Sequence, residues 1–196
     1  MNKDFLFFDF ETLSNKPLTA PIISMGAIAG NWGDSVEQLK ETGFYCNVRT
    51  EEQMELGLKP NKETLKWWLS QGPDAQKVIG AKNKITIQEC LQLFSSWCEL
   101  SEIGQNTKTW IRAPHFDMII FENLQNKIYG SSDHYPFNHW KVRDVRTAID
   151  LLYGVDNGYA PNARDLIADA GLVEHNALDD CIKDYLQMNQ MISHML

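Results

Sequence analysis

An apolar run that ends in two acidic residues opens the chain. Residues 5–8 are Phe-Leu-Phe-Phe, and Asp9 and Glu11 follow with one phenylalanine between them. Such a run is typical of a β-strand buried on both faces, where an unpaired charge is costly. Residues two apart in a strand point to the same side. The two carboxylates are therefore predicted to lie side by side, and the pair needs something that neutralises it.

Length and composition indicate a globular protein. The chain has 196 residues, 43% of them apolar, which suits one domain spanning 1–196 and is short for two. No uncharged stretch is long and apolar enough to cross a bilayer, and acidic residues interrupt the N-terminal apolar run, which argues against a secretory signal. The cysteines form no CxxC pair, so we expect reduced thiols in a cytoplasmic protein: Cys46, Cys90, Cys98 and Cys181.

The net charge of −8 argues against broad, nonspecific binding of nucleic acid. It does not exclude an enzyme that acts on an anionic substrate. Carboxylates that hold divalent cations present a positive site on an acidic protein.

Local patterns predict a mixed-sheet α/β fold. Five strands are expected: one from Phe5, then Pro21–Gly30, Gly43–Val48, Lys108–Ile111 and His139–Val145. Short connections make the first three an antiparallel meander. Helices are predicted from Asn61 to near Gly72, from the capping box that starts at Thr86, from Pro114 to Gly130, through Leu151 and Leu152, and from about Ala177 to the end. Strands followed by alternating helices and strands indicate the α/β class.

Acidic residues recur at element boundaries outside the first strand. Asp117 lies in the first turns of a predicted apolar helix, where a charge is expected to be paired or bound to a metal. Asp179 and Asp180 open the last helix, and His175 precedes them. Each feature alone is common, because such residues are more often solvated or capping. Their combination is informative.

These segments resemble the three motifs of the DEDDh (DnaQ-like) 3'-5' exonucleases, which have an RNase H-like fold. The matching segments are Asp9-Phe10-Glu11-Thr12, Phe116-Asp117 and the stretch from His175 to Asp180. The third is diagnostic, because H-x-A-x-x-D at the start of a late helix is the family's spacing. Residues 61–71 and 143–147 are most similar to the small phage exonuclease A group and its bacterial relatives.

The resemblance implies a two-metal phosphodiester hydrolase. Asp9, Glu11, Asp117 and Asp180 match the family's ligands for two Mg²⁺ or Mn²⁺ ions, which lie roughly 3.5–4 Å apart in such sites. Oxygen ligands suit these hard cations. The cations would neutralise the first two carboxylates. Asp179 is assigned to solvent or a local salt bridge.

The resemblance also implies a base and substrate contacts. His175 would be the general base, because imidazole titrates near neutral pH. Thr12 and Leu13 follow the first motif and would meet the terminal nucleotide, and Arg112 and His115 are further candidates. The expected substrate is a single-stranded DNA or RNA 3' end, released as 5'-mononucleotides. Dimers are common in the family, so a homodimer is allowed.

Two other functions fit parts of the pattern. An apolar strand ending in D-x-E-T is similar to the nucleophile strand of haloacid-dehalogenase-type phosphatases, with Asp9 as the nucleophile. Glu11 and His175 speak against it, because that class uses a second Asp and leaves the histidine unexplained. A non-catalytic nucleic-acid-binding domain is the other alternative. All five motif residues are present, so nothing in the sequence supports a loss of activity.

Overall fold

A six-stranded sheet forms the centre of the protein, as seen in a computed structural model that describes residues 3–193. Residues 1–2 and 194–196, the ends of the predicted domain, lie outside the described residues. The strands are β1 (Phe5–Thr12), β2 (Ile22–Gly30), β3 (Phe44–Val48), β4 (Lys84–Ile85), β5 (Lys108–Ile111) and β6 (Val142–Asp144). Their order across the sheet is β4-β3-β2-β1-β5-β6.

The pairing directions confirm the predicted mixed sheet. β1, β2 and β3 form the antiparallel meander, while β5 pairs parallel to β1 and β6 pairs parallel to β5. The short β4, which was not predicted, pairs parallel to β3. The prediction for 139–145 was too long, because His139–Lys141 form a 3-10 helix before β6. The Asn138 side chain begins that turn by accepting the Trp140 N–H at 3.1 Å.

Helices cover both faces of the sheet. The five predicted helices are α3 (Lys62–Ser70), α5 (Ile87–Leu100), α6 (Pro114–Tyr129), α7 (Val145–Tyr153) and α9 (Ala177–Ile192). Four short helices were not predicted: α1 (Val36–Thr42), α2 (Glu51–Glu55), α4 (Pro73–Ile79) and α8 (Ala163–Asp169). None of the helices within 3–193 is long and apolar enough to cross a membrane.

Strand alternation in β1 divides the core in two. The even-numbered side chains Leu6, Phe8 and Phe10 pack on one face with residues of α5 and α6. Phe5 and Phe7 face the other way, toward α7 and α9. Asp9 and Glu11 continue this second row, so the alternation directs both carboxylates toward the side where α9 lies.

A glycine in β2 allows α9 to approach the sheet closely. Gly26 pairs with Asp9 across the β1–β2 ladder. A Cβ atom at Gly26 would lie 2.2 Å from the backbone nitrogen of Leu178 and 2.3 Å from the carbonyl carbon of Ala177. The first turn of α9 therefore rests on bare strand backbone, a common role of glycine inside a strand. This contact sets the depth at which the residues of α9 meet β1.

Gly26→Ala is expected to lower the melting temperature strongly and to impair catalysis, because the backbone of α9 must move away from β1. Gly72→Ala is the matched control, since Gly72 has an ordinary φ of −62° and no atom within 4 Å of an added Cβ. That control should change stability only slightly, because Gly72 is the N-cap of α4, where glycine and alanine differ modestly. Thermal melts and activity of both variants test this. Equal melting temperatures would contradict the close approach.

Candidate active site

The end of β1 supplies two acids to an open cavity. Asp9 is partly buried and Glu11 is buried, and both line the cavity. The side chain of Phe10 between them is only 4% exposed and belongs to the opposite core, as its strand position predicts.

Asp117 enters from the other side of β1, in the first turn of α6. The parallel pairing of β1 with β5 ends at Phe7 and Trp110, before β1 reaches Asp9. Farther along β1, the N–H of Phe10 donates to the Asp117 Oδ1 at 3.3 Å. The side chain of Asp117 is buried and therefore tied to the backbone between the two acids of β1. The sequence predicts that a charge in this apolar helix is paired or bound to a metal, whereas the Phe10 N–H is an uncharged partner.

The N-terminus of α9 brings the fourth acid. Asn176 caps the helix, because its side chain accepts the N–H groups of Leu178 and Asp179 at 3.1 and 3.2 Å. Asp180 lies in the first turn and faces the cavity. Lys183, one turn later, forms an ion pair with Asp180, and both side chains are about 15% exposed.

His175 lies just before this helix, in a strained backbone conformation. Its φ is +63°, in the left-handed region that non-glycine residues rarely adopt. The imidazole packs edge to face on Trp67, with ring centroids 4.7 Å apart, and lies 6.1 Å from Trp68. Within 3–193 the imidazole has no hydrogen-bond partner. Aromatic packing therefore orients it.

The assignment of Asp179 to solvent or a salt bridge was wrong. Its Oδ2 accepts the backbone N–H of Val173 at 2.9 Å. This bond closes the loop 173–179 that contains His175. The carboxylate therefore holds the loop and is not one of the cavity-lining residues.

The chain brings all five motif residues to one cavity of about 390 Å³. Its lining includes four carboxylates and the histidine that the sequence analysis singled out: Asp9, Glu11, Asp117, His175 and Asp180. Ligand atoms of Glu11, His175 and Asp180 lie within 4.8 Å of one another, close enough to share a metal ion.

The acids disfavour one another's charge. Burial raises the pKa of Asp9 well above its ordinary value, and the charges of Asp117 and Glu11 raise it further. The pKa of Glu11 is raised by burial and then by the charge of Asp180. Burial raises the pKa of Asp117 to about 8, although the Phe10 N–H opposes the shift. Ionising all of these acids together is therefore unfavourable unless positive charge is added to the site.

In excess chelator, the metal-free protein is expected to lose stability as the pH rises from about 4 to about 8. A carboxyl whose pKa is raised by folding stabilises the folded state fully below its unfolded pKa, and this contribution is lost as the pH climbs through the folded value. Asp9, Glu11 and Asp117 all have raised pKa values. Thermal melts in excess chelator should show the fall, Mn²⁺ should reverse it at pH 8, and Asp9→Asn should flatten it. A flat profile for the wild type would contradict the shifts.

The four predicted substrate residues occupy different surroundings. His115 is exposed and Arg112 is partly buried, and both line the cavity. Thr12 and Leu13 are buried and are not among the lining residues. The carbonyl of Thr12 accepts the Trp68 indole N–H at 2.8 Å, so this segment anchors β1 to α3.

Arg112 is held by the protein itself. Its Nη2 lies 2.8 Å from the Asp184 Oδ1, and its Nε donates to both oxygens of that carboxylate at 2.8 and 3.1 Å. Its Nη1 donates to the Gly158 carbonyl at 2.9 Å, and the guanidinium lies 4.5 Å from the ring centroid of Tyr159. The side chain therefore ties β5 to α9.

Two further residues at the site were not singled out from the sequence, although Arg146 was one of five basic residues that could pair with phosphates. Lys183 pairs with Asp180, and helical i,i+3 spacing from a predicted ligand was the available signal. Arg146 lines the cavity, but in the sequence it is one of several basic residues beside acids.

Comparisons with known proteins agree with this geometry. Residues 4–191 match the family model described as 3'-5' exoribonuclease Rv2179c-like domain. An exodeoxyribonuclease of Enterobacteria phage T4 is 26% identical over 210 residues, covering 98% of this chain and 90% of that protein.

Solved structures share the fold. The nuclease domain of 3'hExo, a DEDDh family member bound to rAMP, superposes with a TM-score of 0.65 at 17% identity, covering 98% of this chain and 93% of that chain. The RNase domain of the yeast Pop2 protein has a TM-score of 0.60 at 13% identity, covering 99% and 78%. The RNase H-like fold is therefore confirmed.

The family match excludes the phosphatase alternative that was raised from the sequence. The matched model is a nuclease domain, not a dehalogenase-type phosphatase, and it covers the elements that carry all five motif residues. Because that match spans nearly the whole chain, the protein belongs to the family described as 3'-5' exoribonuclease Rv2179c-like domain and is a 3'-5' exonuclease.

Proposed function

We propose that this exonuclease removes 5'-mononucleotides from single-stranded 3' ends in a reaction that depends on two divalent cations. One observation carries the proposal: four carboxylates from three separate elements converge on one cavity beside His175. Hydrolysis of a phosphodiester needs positive charge at the phosphate and a base for water, and this set of side chains can provide both.

The residues present fit a pair of Mg²⁺ or Mn²⁺ ions. All four acids offer oxygen donors, which these hard cations prefer, and no cysteine lines the cavity. Burial and the charges of neighbouring carboxylates raise the pKa of Asp9 and of Glu11, and bound cations would offset both effects. Asp9, Glu11, Asp117 and Asp180 would hold the ions. When bound, the ions would lower the pKa of the attacking water and neutralise charge on the phosphate and the leaving oxygen.

The protein's own groups then have separate tasks. His175 accepts a proton from the attacking water, because its imidazole lies on the Glu11 and Asp180 side of the cavity. Lys183 pairs with Asp180 and so orients that carboxylate. Asp117 stays fixed through the Phe10 N–H. His115, exposed on the rim, contacts the substrate, while the segment Thr12–Leu13 supports the floor.

The substrate is proposed as an unpaired strand with either sugar. The family model is named for an exoribonuclease and the phage T4 relative for an exodeoxyribonuclease, so both polymers belong in the test. The four free thiols support a reducing, cytoplasmic location. A homodimer, which the resemblance allows, is tested by light scattering on the same sample.

Labelled oligonucleotides test the proposal. Single-stranded DNA and RNA with a 3' or a 5' label are incubated with Mg²⁺, Mn²⁺ or excess chelator. A 3' label should appear at once as 5'-mononucleotide, a 5' label should report progressive shortening, and a chelator should stop both. Undiminished activity in chelator, or equal cleavage of closed circles, would contradict the proposal.

A further inference from the structure

We propose that Arg146 binds a backbone phosphate of the substrate strand, next to the phosphate that is hydrolysed. Arg146 is the second residue of α7 and lines the active-site cavity. The inference concerns strand binding and rests on the proposed cleavage of nucleic acid in this cavity.

Arg146 is free to bind an anion. Within 3–193 no carboxylate lies within 4.0 Å of its guanidinium, whereas Arg112 on the same cavity is paired with Asp184. One helical turn after Arg146, Asp150 would be its natural partner. The Asp150 Oδ1 instead accepts the Gly158 N–H at 2.7 Å. An unpaired guanidinium in an acidic protein is thus left facing the substrate cavity.

The stem of Arg146 rests on a fixed glycine. A Cβ atom at Gly158 would lie 2.8 Å from the Cγ of Arg146 and 2.9 Å from its Cβ, so only glycine leaves room for the stem. Gly158 also has a φ of +71°, which favours glycine. The Gly158 N–H donates to the Asp150 Oδ1 at 2.7 Å, and the Gly158 carbonyl accepts a hydrogen bond from the Arg112 Nη1 at 2.9 Å. The loop is therefore a built support for the arginine stem.

The position of Arg146 near the rim of the cavity favours contact with a neighbouring phosphate and not with the scissile one. Arg146 is exposed, whereas Glu11 and Asp117 are buried at the floor of the cavity. The scissile phosphate must reach these acids, so the next phosphate along the strand lies nearer the rim. Arg146 and Asp117 line the same cavity, so the guanidinium belongs to the space that the strand must enter. Guanidinium groups suit phosphate through paired N–H donors.

Two substrates separate strand binding from chemistry. One is a short oligothymidylate, and the other is the p-nitrophenyl ester of thymidine 5'-phosphate, which has one phosphodiester and no second phosphate. Arg146→Ala should raise KM for the oligothymidylate about 10- to 100-fold, as expected for a lost charged hydrogen bond, with kcat nearly unchanged. Its kinetics on the ester should equal those of the wild type. The slope of log KM against log salt should fall by about 0.7.

Controls keep the outcome specific. Arg146→Lys should recover most of the lost affinity, and Gly158→Ala should reproduce part of the defect by displacing the stem. Arg143→Ala should match the wild type, because the Arg143 guanidinium donates to the carbonyls of Trp140 and Val142 at 3.1 and 2.7 Å and does not line the cavity.

Three results would overturn the inference. An equal loss on both substrates would place Arg146 at the scissile phosphate, and no loss on either would remove it from the substrate. A KM effect with an unchanged salt slope would exclude a phosphate contact. If the wild type cleaved neither substrate, the proposed function would fail instead.

Discussion

Asp180→Asn is expected to abolish turnover and to weaken Mn²⁺ binding. The substitution keeps the shape of the side chain but removes the charge from a carboxylate whose ligand atom lies within 4.8 Å of those of Glu11 and His175. It also leaves Lys183 without its anionic partner in a largely buried position. Steady-state kinetics and calorimetric Mn²⁺ titration measure the two effects.

Two neighbouring acids serve as controls for Asp180. Glu174→Gln changes an exposed acid in the same loop and should leave activity intact. Asp179→Ala removes the acceptor of the Val173 N–H, so it should cost about 1 kcal/mol of stability and reduce activity less than Asp180→Asn does. If Asp179→Ala were inactive while Asp180→Asn remained active, the assignment of the two acids would be reversed.

His175→Ala is expected to lower kcat by about 10²–10⁴-fold, the usual loss for a general base, with Mn²⁺ affinity nearly unchanged. Histidine is a poor ligand for hard cations. Alanine is preferred to glycine here, since it retains the left-handed backbone strain at φ +63°.

The comparison variants isolate the histidine's role. His134→Ala removes an exposed histidine that does not line the active-site cavity, so it should behave as the wild type. Asp9→Asn should damage both metal affinity and rate, because it removes the charge of a proposed ligand. If His175→Ala lost Mn²⁺ as severely as Asp9→Asn, the histidine would be a ligand and not the base.

Short-range patterns in the sequence determined the main elements and the two acids of β1. Alternation along the strand directed Asp9 and Glu11 to one face and Phe10 to the other, as the structure has them. The capping box at Thr86 and the cap at Asn61 predicted where two helices begin, and both caps are formed. Such features need only a few consecutive residues, so sequence spacing is sufficient to predict them.

Short elements were missed because little in the sequence specifies them. β4 has two residues and α2 has five, too few to display a hydrophobic period. Their formation depends on neighbours, as when the parallel pairing of β4 with β3 gives those two residues their strand geometry.

Only the tertiary structure decided how the acids come together and which arginine at the site stays unpaired. Gly26 sets the approach of α9 to β1, Asp117 reaches the Phe10 N–H across 107 positions of sequence, and Asp179 is turned to the loop instead of the site. Two arginines line the same cavity. Arg112 forms an ion pair with Asp184, whereas Arg146 has no carboxylate within 4.0 Å among the described residues. These outcomes depend on distances of a few ångströms between segments far apart in the chain. Packing fixes such distances, and residue spacing along the chain does not encode them.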